Sequence, residues 1–215
     1  FQTFSYIFMD SRKQESVSSN DSSWDFTYDS NDRIIAMEYA FDRSTSRSER
    51  NDVTAFRYPN EETTKPNEIT VKSSSSNSPD SEVVLVLNWE GENIKAIDFI
   101  VTSEDEPRSG RIEYSYDKNI NPYYVILKEQ FGLEPFFVLN TVTGMESIDL
   151  SEFGSILWQS KNNITKIVEF QNGVSQPVKT STFVYQYSDD YYPVSAQGNV
   201  VTSTNEITNM YQWKY

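Results

Sequence analysis

The chain contains neither His nor Cys, so carboxylates, phenols and amines are the side chains left for acid–base chemistry. Imidazole bases, thiolate nucleophiles and the triads built from them are excluded, as are the ligands that usually hold zinc, copper or haem. Paired carboxylates, as in glycan hydrolases, are the device that remains. The densest acidic groups are Glu61-Glu62 and Glu104-Asp105-Glu106. Neither is surrounded by apolar, pocket-forming sequence, so both read as solvated loop charge and no catalytic residue is assigned. Asp29-Ser30-Asn31-Asp32 opens like a calcium loop, but Arg33 breaks the alternation and no later Glu closes it. A turn explains it better, so no metal ligand and no cofactor are expected.

Aromatic side chains are the stronger binding candidates. Tyr123-Tyr124 and Tyr191-Tyr192 break strand alternation, which turns one ring of each pair away from the core. A ring so exposed can stack on a sugar face or anchor a protein partner. The competing reading is that the second ring covers a sheet edge or packs on a helix.

The elements that position these residues follow from composition. Val and Ile number 32, Ala and Leu only 12, and there are 14 Tyr, 13 Phe and 4 Trp. That balance suits half-buried strands and disfavours helix, so the fold class is all-β. Alternation is explicit in Trp24, Phe26 and Tyr28, in Ile112, Tyr114 and Tyr116, and in Phe183, Tyr185 and Tyr187. It predicts strands near 3–9, 22–28, 33–42, 52–58, 67–73, 82–89, 93–101, 111–117, 164–170, 180–188, 194–202 and 207–215. Short polar connections make these an antiparallel meander, a strongly curved, barrel-like or half-open sheet in a single β domain, 1–215.

Two stretches interrupt the rhythm. Asn121-Pro122, with Gly132 ten residues on, carries helix start and stop signals around Tyr123–Phe131. Asp149 and Glu152 form a weaker capping signal before Ile156–Trp158. A short helical insertion is therefore expected around 121–160. The serine run Ser73–Pro79 and the segment Arg43–Asp52, which lacks apolar periodicity, read as loops.

A short unit recurs: aromatic, any residue, aromatic, acidic, then a polar turn. Its copies are Phe26-Thr27-Tyr28-Asp29, Leu87-Asn88-Trp89-Glu90, Tyr114-Ser115-Tyr116-Asp117 and Tyr185-Gln186-Tyr187-Ser188-Asp189-Asp190. Gly, usual in such turns, stands only at Gly91, with Asp32 and Asp190 in the equivalent places elsewhere. The order of these units with Asn121-Pro122-Tyr123 and Ser160-Lys161-Asn162-Asn163-Ile164-Thr165 resembles an uncharacterised family of surface lipoproteins. These come from gut Gram-negative anaerobes and form a domain of unknown function with a porin-like fold and tyrosine-aspartate (YD-like) hairpin repeats. The resemblance spans Trp24 to the C-terminus. It implies export to the bacterial cell envelope, at the outer-membrane surface or in the periplasm, and a lipid anchor outside this chain. It implies no known activity.

Charge and hydropathy narrow the function classes further. The 18 basic and 32 acidic residues leave −14, which repels nucleic acid. No apolar run reaches the roughly 18 residues of a membrane-spanning helix. The chain begins at Phe1 with no charged-then-apolar leader after it, so it reads as a mature or trimmed form. The leading expectation is a lipid-anchored surface protein without catalysis, its partner a glycan or another envelope protein. Tyr211, Trp213 and Tyr215 alternate like the last strand of an outer-membrane barrel, which makes a small integral barrel the alternative. A carboxylate-dependent glycan hydrolase is the second alternative.

Overall fold

The computed structural model describes residues 5–10, 13–19, 22–43, 48–75, 78–103, 107–122, 124–125 and 160–212. Thirteen strands follow in chain order: β1 Ser5–Asp10, β2 Lys13–Ser19, β3 Ser22–Tyr28, β4 Ile34–Arg43, β5 Ser48–Arg57, β6 Glu68–Ser75 and β7 Ser78–Glu90. β8 Asn93–Ser103, β9 Arg108–Ile120, β10 Asn162–Gln171, β11 Lys179–Tyr187, β12 Pro193–Thr202 and β13 Glu206–Gln212 complete the set. Each strand pairs with its neighbours in sequence, so the protein is an antiparallel meander in one sheet. Among the described residues, β1 and β13 stand at the two ends of the strand order and are not paired with each other.

Two expectations need correction, and one strand stands where none is expected. Lys13–Ser19 is a strand although its residues, Lys-Gln-Glu-Ser-Val-Ser-Ser, carry no apolar alternation. The serine run is largely strand, since β6 continues to Ser75 and β7 starts at Ser78. Arg43–Asp52 is not a loop either: β4 reaches Arg43 and β5 begins at Ser48. Backbone groups form a ladder whatever the side chains, and here the paired neighbour supplies what local propensity does not. The helix start is present, with residues 122, 124 and 125 helical and the Val125 N–H donating to the Asn121 carbonyl. The remainder of the expected insertion, including Asp149, Glu152 and Ile156–Trp158, lies outside the described residues.

The meander divides into two compact units, residues 1–87 with 99–108, and residues 88–98 with 109–215. In the first, the register stacks Phe26, Met37, Thr54, Val71 and Val83 in one buried row across β3 to β7. The opposite face carries cross-strand ion pairs, Arg57 with Glu68 and Lys72 with Glu82, each between directly opposed residues. In the second unit, Tyr114, Ile167 and Ser181 form a buried row that continues through Val200 to Ile207. Burial fades along it, from complete at Ser181 to 53% exposure at Ile207.

Candidate functional site

Odd-numbered strands of an antiparallel meander finish at one end of their unit, so the aromatic-acidic repeats gather their turns there. Two of these turns share one backbone design. The Asp29 N–H donates to the Arg33 carbonyl at 2.9 Å and the Asp32 N–H to the Asp29 carbonyl at 3.1 Å. At the other, Ser188 N–H donates to Tyr192 at 2.9 Å and Tyr191 N–H to Ser188 at 3.0 Å. Asp32 and Tyr191 both have positive φ, 66° and 64°. Each is the left-handed residue of a three-residue hairpin loop with a bulge, and the register shifts match, at Thr27/Tyr28 and Gln186/Tyr187. The special position is therefore Tyr191, one residue beyond the Asp190 expected from sequence.

A tyrosine next to such turns has a repeated job. Tyr58 hydroxyl donates to the Ile34 carbonyl at 2.9 Å, Tyr116 to Ile94 at 2.5 Å and Tyr185 to Ile164 at 2.8 Å. All three acceptors are buried isoleucines at the start of the preceding even-numbered strand. Phe56-Arg57-Tyr58, followed by Pro59-Asn60, is thus a further copy of the repeat, with Pro59 in the place of the trailing acid.

The two motifs of the family resemblance meet in the second unit. The Asn121 N–H donates to the Lys161 carbonyl at 2.7 Å, and its side-chain amide to the Ser160 carbonyl at 3.2 Å. Ser160, fully buried, accepts from the Ile94 N–H at 3.2 Å and shares a 2.9 Å hydrogen bond with Tyr116. Asn162 exchanges two hydrogen bonds with Asn93, at 2.9 and 3.0 Å, and Asn163 donates to the Asn119 carbonyl and the Tyr187 hydroxyl, both at 3.3 Å. Tyr187 in turn donates to Asp117. These residues form a polar neck between the end of β9 and the start of β10. No sequence periodicity could have found it, because Asn93 and Asn162 lie 69 residues apart.

The neck's phenols are tuned away from proton exchange. Burial raises the pKa of Tyr187 to about 12, with the Asp117 carboxylate that accepts its hydrogen bond adding to the effect. Burial likewise raises that of Tyr116, against a smaller opposing effect from Ser160. Both stay protonated at neutral pH and act as hydrogen-bond donors. Of the acidic groups, Glu61 and Glu62 are exposed in the 58–67 loop, where the Glu62 N–H donates to the Asn60 side chain at 3.0 Å. Glu104-Asp105-Glu106 lies outside the described residues. The Asp29 turn is closed on itself: the carboxylate accepts from the N–H groups of Asn31 and Arg33 and from the Arg33 guanidinium.

The tyrosine pairs separate. Tyr123 lies outside the described residues, whereas Tyr124 is buried and donates to Glu92 at 2.8 Å as part of the neck. Tyr191 and Tyr192 are both exposed, by 71% and 48%, beside Asp189 and Asp190 at the tip of the β11–β12 hairpin. A bulky residue in the left-handed region costs about 1 kcal/mol. Tyr191→Gly should therefore raise stability by about 0.5–1 kcal/mol in a urea melt, part of the gain being returned as added freedom of the unfolded chain. A loss of stability would show that the ring holds the turn.

The fold is shared with a porin-like protein from Bacteroides vulgatus ATCC 8482, at 12% identity and a TM-score of 0.52 over 100% of this chain and 85% of that one. A porin-like protein from Bacteroides uniformis ATCC 8492 matches at 10% identity and a TM-score of 0.32, over 96% and 91% of the two chains. No protein-family model and no curated protein matches the sequence.

Proposed function

We propose that this is an exported, lipid-anchored protein of the bacterial cell envelope that binds a glycan through the Tyr191–Tyr192 turn and performs no catalysis. One observation carries the reading: two exposed tyrosines at a hairpin tip, one of them in a backbone conformation that glycine would hold at lower energy. The turn itself demands a left-handed residue, as at Asp32, and the use of a bulky exposed tyrosine there supports a role for the ring. The rings offer apolar faces for sugar, and Asp189 and Asp190 offer acceptors for its hydroxyl groups. The envelope location rests on the fold likeness to the Bacteroides vulgatus porin-like protein together with the motif order.

A glycan array that includes envelope polysaccharides tests this. The wild-type protein should bind, and Tyr191→Ala/Tyr192→Ala should lose about tenfold or more in affinity while keeping its melting temperature. Equal binding by the double variant overturns the site. Release of sugar during the assay would favour the hydrolase instead, and capture of an envelope protein in place of a glycan would change the partner.

The same fold likeness favours a second reading, a small outer-membrane barrel. The cross-strand pairs Arg57–Glu68 and Lys72–Glu82 on the outer face weigh against it, since a basic residue facing mid-bilayer lipid costs roughly 2–4 kcal/mol. Folded, monodisperse protein in detergent-free buffer would remove the barrel.

A further inference from the structure

The geometry points to β13 as a dimerisation edge, pairing antiparallel with β13 of a second copy about a two-fold axis at Asn209. The direction of its backbone groups follows from the preceding turn. The Thr202 N–H donates to the Asn205 carbonyl at 2.8 Å, so Thr202 and Asn205 are a hydrogen-bonded pair. Such pairs alternate along an antiparallel ladder. In the β12–β13 register, Ile207, Asn209 and Tyr211 therefore bond to β12, and Glu206, Thr208, Met210 and Gln212 point their N–H and C=O groups outward. Among the described residues, β12 is the only strand paired with β13.

Apart from the charge of Glu206 at its first position, the strand lacks the devices that blunt an edge. Between Glu206 and Gln212 there is no Lys, no Pro and no bulge against β12. It is also self-complementary. A two-fold at Asn209 sets Glu206 opposite Gln212 and Thr208 opposite Met210, so every outward-facing residue meets another and about eight backbone hydrogen bonds can form. No like charges stand opposite each other. The exposed Ile207 lies on the same face and next to the axis, so a second copy would cover it. This pairing also completes the inner row that fades from Ser181 through Val200 to the exposed Ile207. A second copy is the occupant that meets all of these features with one contact.

Sedimentation velocity on the full chain tests the proposal. The wild type should be dimeric at about 100 µM and associate more tightly as salt rises, because screening relieves repulsion between copies of net charge −14. Asn209→Lys and Asn209→Asp each place like charges across the axis and should be monomeric. Mixed one to one, they should restore a dimer. Amide exchange in the wild type supplies a readout that needs no variant, with residues 206–212 protected more strongly at higher concentration. A monomeric wild type, variants that stay dimeric, or exchange independent of concentration would each overturn the proposal.

Discussion

Tyr116→Ala should lower stability by about 3–5 kcal/mol, a drop on the order of 10 °C in melting temperature. The ring lies on β9 beside the polar neck, and its hydroxyl joins the Ile94 carbonyl to Ser160. Truncation removes the packing volume and leaves both of those buried groups without this partner. Tyr116→Phe separates the two losses: it keeps the ring, gives up the hydroxyl and should cost about 1–3 kcal/mol. Were the tyrosine-aspartate hairpins ligand platforms, the alanine variant would melt within roughly 0.5 kcal/mol of wild type and lose binding instead. A differential scanning melt of the two variants reads out the answer with no knowledge of the ligand.

The second large effect belongs to Arg33, and Arg33→Ala should cost about 2–4 kcal/mol in a denaturant melt. Its guanidinium bonds to Asp29 through Nε at 2.7 Å and reaches the carbonyls of Asn60 at 2.7 Å and Thr63 at 2.9 Å. It also sits 4.4 Å from the Tyr58 ring centroid. One side chain thus ties the β3–β4 turn to the β5–β6 loop. Lysine cannot reproduce this fork, so Arg33→Lys should recover little. The same cluster dictates a pH response. Burial pushes the Asp29 carboxyl up, but the hydrogen bonds from Arg33 and Asn31, with the guanidinium charge, outweigh it and leave the pKa lowered. The folded-state value lies below the unfolded one, so this stabilisation is fully present above about pH 4 and is lost as pH falls through the folded value. Asp29→Asn should flatten that acid limb. An acid limb identical to wild type would remove Asp29 from the account.

How much was readable beforehand depended on whether the information was local. Phe26-Thr27-Tyr28-Asp29 and Tyr185-Gln186-Tyr187 announced hairpin ends because alternate aromatics and an Asx or Ser turn residue are neighbours in the chain. Lys13–Ser19 gave no such signal, as its strand exists through pairing with β1 and β3. The serine run misled for the same reason, since composition speaks of side chains and the ladder is made of backbone. Tyr191 was recognisable as a break in alternation, but its left-handed φ depends on loop length, which sequence left uncertain by one residue. The neck was beyond reach. Asn93, Asn119, Ser160 and Asn162 are ordinary polar residues until the fold puts them side by side.

That neck also sets an order of assembly. Hairpins between consecutive strands close across a few residues and form within microseconds. The Asn93–Asn162 exchange must instead wait for the long connection from Ile120 to Asn162 to close, which costs about 2 kcal/mol more in chain entropy than a short turn. The neck therefore comes together after the strands around it, once β8 and β9 already stand in place to receive β10. Contacts made that late are absent from the folding transition state, so the neck's hydrogen bonds bear on the rate of unfolding far more than on the rate of folding.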